Sequence, residues 1–119
     1  MKIRNGFVSN SSSSSFILDK SKLSVKNLSD IKNAYKLAVE FDIEYPEDIG
    51  GWTLYENDDE LHGCTIIDNF QFLGFLDRIG VPREAFKERL SENGAGKYDY
   101  SDEEIKQLGL KVFNVDRES

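Results

Sequence analysis

The chain has 119 residues, of which 39% are hydrophobic and 12% aromatic, and its formal net charge is −7 at pH 7. This length and aromatic content predict one folded domain with a modest core and argue against disorder throughout the chain. The single cysteine, Cys64, excludes an intramolecular disulfide, and no apolar run approaches the ~20 residues of a membrane span, so we expect a soluble protein of the reducing cytoplasm.

The first third of the chain predicts one strand and one helix. Residues 16–18 form a short apolar run that is typical of a strand, and the polar residues 20–27 indicate a loop. Ser29 can cap a following helix, in which apolar side chains recur at helical spacing to about Phe41.

The middle of the chain predicts a β-hairpin. Proline and glycine in residues 46–51 indicate a turn, and the runs 52–55 and 64–67 have the composition of strands. The run 56–60 between them is too charged for a buried element, so we expect an exposed acidic tip. The carboxylates of this predicted acidic surface are Glu56, Asp58, Asp59 and Glu60.

Two helices are predicted next. Residues 70–79 are apolar on most sides, which indicates a central buried helix that begins after Asp68 and Asn69 and ends at Gly80. Pro82 suits the first turn of a second helix, which we expect to run to about residue 91.

The last residues predict a short helix and a final strand. Residues 101–104, Ser-Asp-Glu-Glu, form a capping box for a helix to Gly109, and residues 110–115 indicate a strand. The predicted fold is a single α+β domain of three or four helices on a small, mostly antiparallel sheet. We assign residues 1–16 to a Ser-rich N-terminal arm and residues 17–119 to the domain.

Charge is unevenly distributed along the chain. Residues 1–36 hold seven basic and two acidic side chains, residues 37–77 hold eleven acidic and no lysine or arginine, and residues 78–119 hold eight basic and nine acidic. Such asymmetry bears on partners rather than on the fold. Residues 37–77 could imitate nucleic-acid phosphate for a basic protein, or they could aid solubility and pair with the basic first third.

His62 and Cys64 are the residues that could support an enzyme. Residues two apart on a strand share a face, so the imidazole could hold the thiol as a thiolate, with Asp68 as the nearest further carboxylate. Asp58, Glu60 and His62 would also share a face and offer ligands to a divalent metal. A core cysteine beside a half-exposed histidine, and a solvated hairpin tip, are the simpler interpretations, and no cofactor is predicted.

Two further motifs are rejected. Residues 94–97, Gly-Ala-Gly-Lys, resemble the end of a phosphate-binding loop, but Ser91 and Tyr98 stand where that loop needs glycine and a magnesium-binding hydroxyl. Residues 80–82 suggest a helix-turn-helix, but residues 83–90 mix both signs of charge, whereas a helix that reads DNA needs an uncompensated basic face. The sequence argues against direct nucleic-acid binding.

The serine run 11–15 is the one low-complexity segment. Serine hydroxyls compete for backbone groups and favour turns, so a polar linker is the simple interpretation. The functional alternative is modification, because phosphates would reverse the basic character of residues 1–36. The candidate binding or modification residues are Arg4, Asn5, Phe7, Ser9, Asn10, Ser11, Ser12, Ser13, Ser14, Ser15 and Phe16.

The opening residues 4–16, RNGFVSNSSSSSF, resemble a signature at the start of a family of small bacterial and bacteriophage proteins. The resemblance covers only the start of the chain, and since the family has no assigned activity it transfers no functional residue. It implies a phage or mobile-element origin and an N-terminus that is recognised or processed.

These observations predict a non-enzymatic accessory protein of a bacterium or its phage. We expect it to bind a host or phage protein, not a membrane, through the Ser-rich arm and the acidic tip. The first alternative is a small metal-dependent or thiol enzyme that uses His62, Cys64 and Asp68. The second is an acidic mimic of nucleic acid that binds a basic host protein.

Overall fold

The computed structural model of the chain describes residues 14–65, 70–91 and 100–115. These residues form a five-stranded antiparallel sheet and four α-helices, which confirms the predicted α+β class. The strands are β1 Ser14–Asp19, β2 Thr53–Glu56, β3 Glu60–Thr65, β4 Phe86–Ser91 and β5 Lys111–Val112. The helices are α1 Val25–Lys32, α2 Ala34–Glu40, α3 Phe72–Arg78 and α4 Asp102–Leu108. The order of strands in the sheet is β4-β1-β3-β2-β5.

Side chains alternate between the two faces of the sheet, and each face has its own core. One face packs against α1, α2 and α3. This main core consists of Phe16, Leu18, Ile31, Ala34, Ala38, Ile49, Trp52, Leu54, Leu61, Phe70, Phe72, Leu73, Phe75, Leu76, Val81 and Ala85. The smaller second core consists of Tyr55, Cys64, Tyr100 and Leu110, with Ile105 packed against it.

The first described strand, β1, lies inside the sheet between β4 and β3. Its residues Ser14, Ser15 and Phe16 are buried, although the sequence places them in the predicted arm. Phe16 pairs with Gly63 across the β1–β3 ladder. These three residues are therefore part of the folded sheet, while residues 1–13 of the arm lie outside the described part of the chain.

The chain after β1 becomes helical earlier than the sequence predicts. A 3-10 turn at Lys20–Lys22 and α1 occupy the predicted loop, and the cap is Ser24 rather than Ser29. Ser24 Oγ accepts a hydrogen bond from Asn27 N (2.9 Å), and Asn27 Oδ1 accepts one from Ser24 N (3.1 Å). The prediction is wrong because asparagine here replaces the usual glutamate or glutamine of a capping box. The predicted single helix is also divided at Asn33, where α2 begins.

The sequence predicts a helix over residues 82–91, but residues 86–91 form a strand. After a 3-10 turn at Arg83–Ala85 the chain continues as β4 and pairs with β1. Phe86 and Leu90 are four residues apart, a spacing that fits one face of a helix. Strand pairing overrides this pattern, because an interior strand such as β1 needs hydrogen-bonding partners on both sides.

The predicted hairpin is confirmed, with a tighter tip. β2 and β3 are antiparallel neighbours, and Glu60 of the predicted tip already belongs to β3. Asn57 closes the turn between them. Asn57 N donates to Glu60 O (3.0 Å), and Asn57 Oδ1 accepts from the backbone N atoms of Asp59 (2.8 Å) and Glu60 (2.7 Å).

The central buried helix is α3, and it is shorter than predicted. Phe70 is buried but precedes the helix, which begins at Phe72, and the predicted caps Asp68 and Asn69 lie outside the described residues. Gly80, at φ +87°, follows its C-terminal end as predicted.

The capping box of α4 is confirmed. Ser101 Oγ accepts from Glu104 N (3.1 Å), and Glu104 Oε1 accepts from Ser101 N (3.0 Å). Gly109 ends the helix at φ +66°, and the final strand is limited to β5. Across the described ranges, no helix has the length and apolar character that a membrane span requires.

Candidate functional site

The tip of the β2–β3 hairpin lines an open cleft of about 640 Å³, which we call the turn cleft. The residues that line it are Asp19, Lys20, Ser21, Leu28, Asn57, Asp58, Asp59, Glu60 and Lys87. Its two sides are joined by a backbone hydrogen bond from Lys20 N to Asp59 O (2.9 Å). The end of β1 and the hairpin tip are thereby held as the two walls of one cleft.

Lysines neutralise two of the four predicted acidic residues. Lys20 Nζ donates to Glu56 Oε1 (3.0 Å), and Lys87 Nζ donates to Glu60 Oε2 (2.6 Å). The hydrogen bond from Lys87 lowers the pKa of Glu60, and the same contact raises the pKa of Lys87. Glu60 is therefore an ionised, engaged carboxylate rather than a general base.

The other two acidic residues of the tip form no ion pair with a described residue. Asp58 and Asp59 are exposed, and neither forms an ion pair within the described ranges. Across the cleft Asp19 Oδ1 accepts from Ser21 Oγ (2.7 Å) and Ser21 N (3.0 Å), which lowers the pKa of Asp19. The carboxylates of Asp19, Asp58 and Asp59 thus line the cleft together with that of Glu60, and its two lysines form ion pairs with Glu56 and Glu60, an arrangement that leaves room for a further cationic group.

A buried polar network begins at the cleft and continues under it. His62 is 2% exposed, with Nε2 2.9 Å from Glu60 Oε1 and Nδ1 2.6 Å from Tyr100 Oη. Because the Glu60 carboxylate can only accept, the imidazole donates to it from Nε2, and Nδ1 pairs with Tyr100 Oη. Burial raises the pKa of Tyr100, so its hydroxyl stays protonated.

The residues of the enzyme alternative are enclosed or occupied. Cys64 shares the face of β3 with His62, as their spacing predicts, but it is 1% exposed and lies in the second core. Both nitrogens of His62 already have partners, and Asp68 lies outside the described residues. Within the described ranges no three His, Cys, Asp or Glu residues converge as metal ligands, so Asp58, Glu60 and His62 do not form a metal site there.

The described end of the Ser-rich arm is interior. Ser14 is 0% and Ser15 3% exposed, and both take part in further interactions. Phe16 packs against the rings of Trp52 (5.8 Å between centroids) and Phe72 (5.6 Å). A modifying enzyme needs an accessible hydroxyl, so Ser14 and Ser15 are poor acceptors in the folded state. The other arm candidates, Arg4, Asn5, Phe7, Ser9, Asn10, Ser11, Ser12 and Ser13, lie outside the described residues.

The acidic stretch 37–77 is partly neutralised within the molecule. Between described residues, lysine and arginine form the ion pairs Lys20–Glu56, Lys87–Glu60 and Arg89–Asp77 with it. One of these bases comes from the basic first third of the chain and two from the last third. Internal pairing reduces the continuous negative surface that a mimic of nucleic acid would present.

Tyr100 is one of the site residues that sequence reasoning missed. It lies 38 residues from its hydrogen-bond partner His62, and its ring packs edge-on against the imidazole with centroids 5.4 Å apart. The alternation of β3 predicts which face His62 occupies, but no local pattern indicates what covers that face.

Comparison with known proteins adds no family to this description. No protein-family model, no curated protein and no solved structure matches the chain.

Proposed function

We propose that the chain is a non-enzymatic accessory protein of a bacterium or its bacteriophage, and that it acts in the cytoplasm by binding a host or phage protein at the turn cleft. The observation that supports this proposal is the cleft itself, in which Asp58 and Asp59 are exposed without ion pairs in the described ranges. A lysine or arginine side chain of the partner supplies the opposite charge, and Leu28 offers an apolar contact to its methylene groups.

Binding is favoured over catalysis because the reactive groups are covered. His62 and Cys64 are both buried, and the imidazole is engaged by Glu60 and Tyr100. A substrate would have to displace this packing before it reached either group. A partner at the turn cleft needs no such rearrangement, since the cleft is open.

The Ser-rich arm is the second proposed binding determinant, supported by its resemblance to the bacterial and phage signature. Deletion of residues 1–13 tests it and leaves β1 intact. Deletion through Phe16 is unsuitable, because it also removes three buried residues from an interior strand. We expect the shorter deletion to weaken capture of the native partner and to leave binding of basic peptides at the cleft unchanged.

A charge-neutral double variant tests the cleft. Asp58→Asn/Asp59→Asn should weaken binding of a synthetic lysine-rich peptide by about tenfold at low salt, as measured by isothermal titration calorimetry. The matched control is Glu40→Gln/Glu44→Gln, which removes the same charge at exposed positions outside the cleft lining. Equal weakening by both variants would show that only net charge matters, and it would reject the cleft as the binding site.

A further inference from the structure

Residues 100–112, which we call the strap, are held to the sheet more weakly than the rest of the described chain. No residue of α4 is buried, and both residues of β5 are exposed. The strap contributes only Tyr100 and Leu110 as buried residues, and both belong to the second core. Segments with few buried apolar contacts open at a lower free energy than a protein's main core.

Hydrogen bonds supply the remaining attachment of the strap. Tyr100 Oη lies 2.6 Å from His62 Nδ1 at one end, and Asn57 Nδ2 donates to Leu108 O (2.9 Å) near the other. β5 adds a two-residue ladder with β2. Of these contacts only the bond between Tyr100 and His62 lies in a buried setting, where a hydrogen bond is worth most.

We infer that the strap opens from the sheet as one unit while the main core stays folded, and that the Tyr100–His62 hydrogen bond is its clasp. The chain beyond the strap stays anchored, because Phe113 N donates to Leu54 O (2.9 Å) and Phe113 and Val115 pack against the main core. Opening uncovers Cys64 and the backbone edge of β2, and an exposed strand edge can accept a further strand.

Cys64 is a built-in reporter of this opening. It is the only cysteine of the chain, it is 1% exposed, and it packs with Tyr100 and Leu110 in the second core. A thiol reagent in excess reacts only when the side chain is uncovered. If the strap opens alone, Cys64 is labelled faster than global unfolding allows, while the amides of β1 stay protected from hydrogen exchange.

The test compares the wild-type protein with Tyr100→Phe under native conditions. Phenylalanine keeps the ring that packs against Tyr55 and His62 but removes the hydroxyl of the clasp. We expect labelling of Cys64 by N-ethylmaleimide to accelerate by about tenfold, and amide exchange to rise across residues 100–112. Tyr35→Phe is the matched control, since it removes a hydroxyl from α2, beside the main core, and should leave the labelling rate unchanged.

Global stability is measured for all three proteins by urea unfolding. This separates exposure of Cys64 by local opening of the strap from its exposure by global unfolding. The inference is overturned if wild-type Cys64 is labelled only at the global unfolding rate, with the same urea dependence. It is also overturned if the acceleration in Tyr100→Phe equals the loss of global stability, or if Tyr100→Phe and Tyr35→Phe label alike.

Discussion

Phe16 lies directly opposite Gly63 in the β1–β3 ladder, and its ring covers the space where any other residue would carry a side chain. A Cβ built on Gly63 would overlap the Cε2 and Cζ atoms of Phe16 and lie 2.8 Å from Leu54 Cδ2. A glycine in the middle of the chain and the last residue of the N-terminal signature thus form one packing unit.

Substitution Gly63→Ala should destabilise the protein by about 1–3 kcal/mol, because the buried ring of Phe16 must move to admit the methyl group. The free energy of unfolding in urea measures the effect. Gly51→Ala is the control, since a Cβ there meets no atom within 4 Å. Similar stabilities of the two variants would contradict the close packing of Phe16 on β3.

Removal of the Phe16 ring should destabilise the protein more than Gly63→Ala does. Phe16→Ala leaves a cavity among Trp52, Phe72 and Leu54, and a loss of about 3–5 kcal/mol is expected for a fully buried phenylalanine. Since small domains have only about 5–15 kcal/mol of stability, this variant should unfold at a clearly lower temperature, as followed by circular dichroism. Phe41→Ala, which removes a partly buried ring at the border of the same core, should cost clearly less.

Gly74→Ala should stabilise the protein by about 0.5–1 kcal/mol. Gly74 is an exposed residue inside α3, and the nearest atom to an added Cβ is Gln71 Cβ at 3.7 Å. Alanine therefore gains helix propensity without a steric conflict. A lower urea midpoint for this variant would contradict the assigned helix.

The Glu60–Lys87 ion pair should make stability depend on pH in acid. The folded-state pKa of Glu60 is lowered, so its stabilisation is present above the ordinary value of 4.5 and is lost as the pH falls through the lowered pKa. The raised pKa of Lys87 gives the opposite pH dependence at the basic end. The stabilisation from Lys87 is present below pH 10.5 and is lost as the pH rises through the raised pKa.

Melting temperatures between pH 2 and pH 8 test this dependence. Lys87→Met should melt below the wild-type protein at neutral pH, and the difference should shrink as the pH falls below 4.5. The difference should be modest, because half of the Lys87 side chain is exposed. Lys111→Met, at an exposed position without an ion pair in the described ranges, is the control. A gap that stays constant from neutral to acid pH would contradict the role of the carboxyl.

Signals carried by adjacent residues predict their elements well. The capping box at Ser101 and the terminator Gly80 could be found from sequence because each motif is complete within one or two turns of chain. The capping box at Ser24 was not predicted, because its third residue after the cap is Asn27 rather than the usual glutamate or glutamine.

Elements and contacts that depend on distant parts of the chain could not be found this way. Residues 86–91 are a strand because β1 lies beside them, and Tyr100 reaches His62 because the chain returns across the second face. Both facts are set by tertiary pairing, which overrides local propensity. The acidic tip could be predicted as an exposed surface. The cleft could not, because its opposite wall is formed by Asp19 and Lys87, which are distant from the tip in sequence.

The position of β4 at the end of the described sheet affects how copies of the protein meet. When two identical strands pair antiparallel about a twofold axis, one residue of the strand must lie opposite itself. The central positions of β4 are Lys87, Glu88 and Arg89. If the twofold axis passes through any of them, that side chain lies opposite the identical, equally charged side chain of the second copy, which disfavours pairing. The bulge in the β1–β4 ladder, at Ile17 and Leu18, also makes β4 less regular, and an irregular edge strand pairs less well with a further strand. At the high concentrations of expression or storage, β4 therefore resists sheet growth from one molecule into the next.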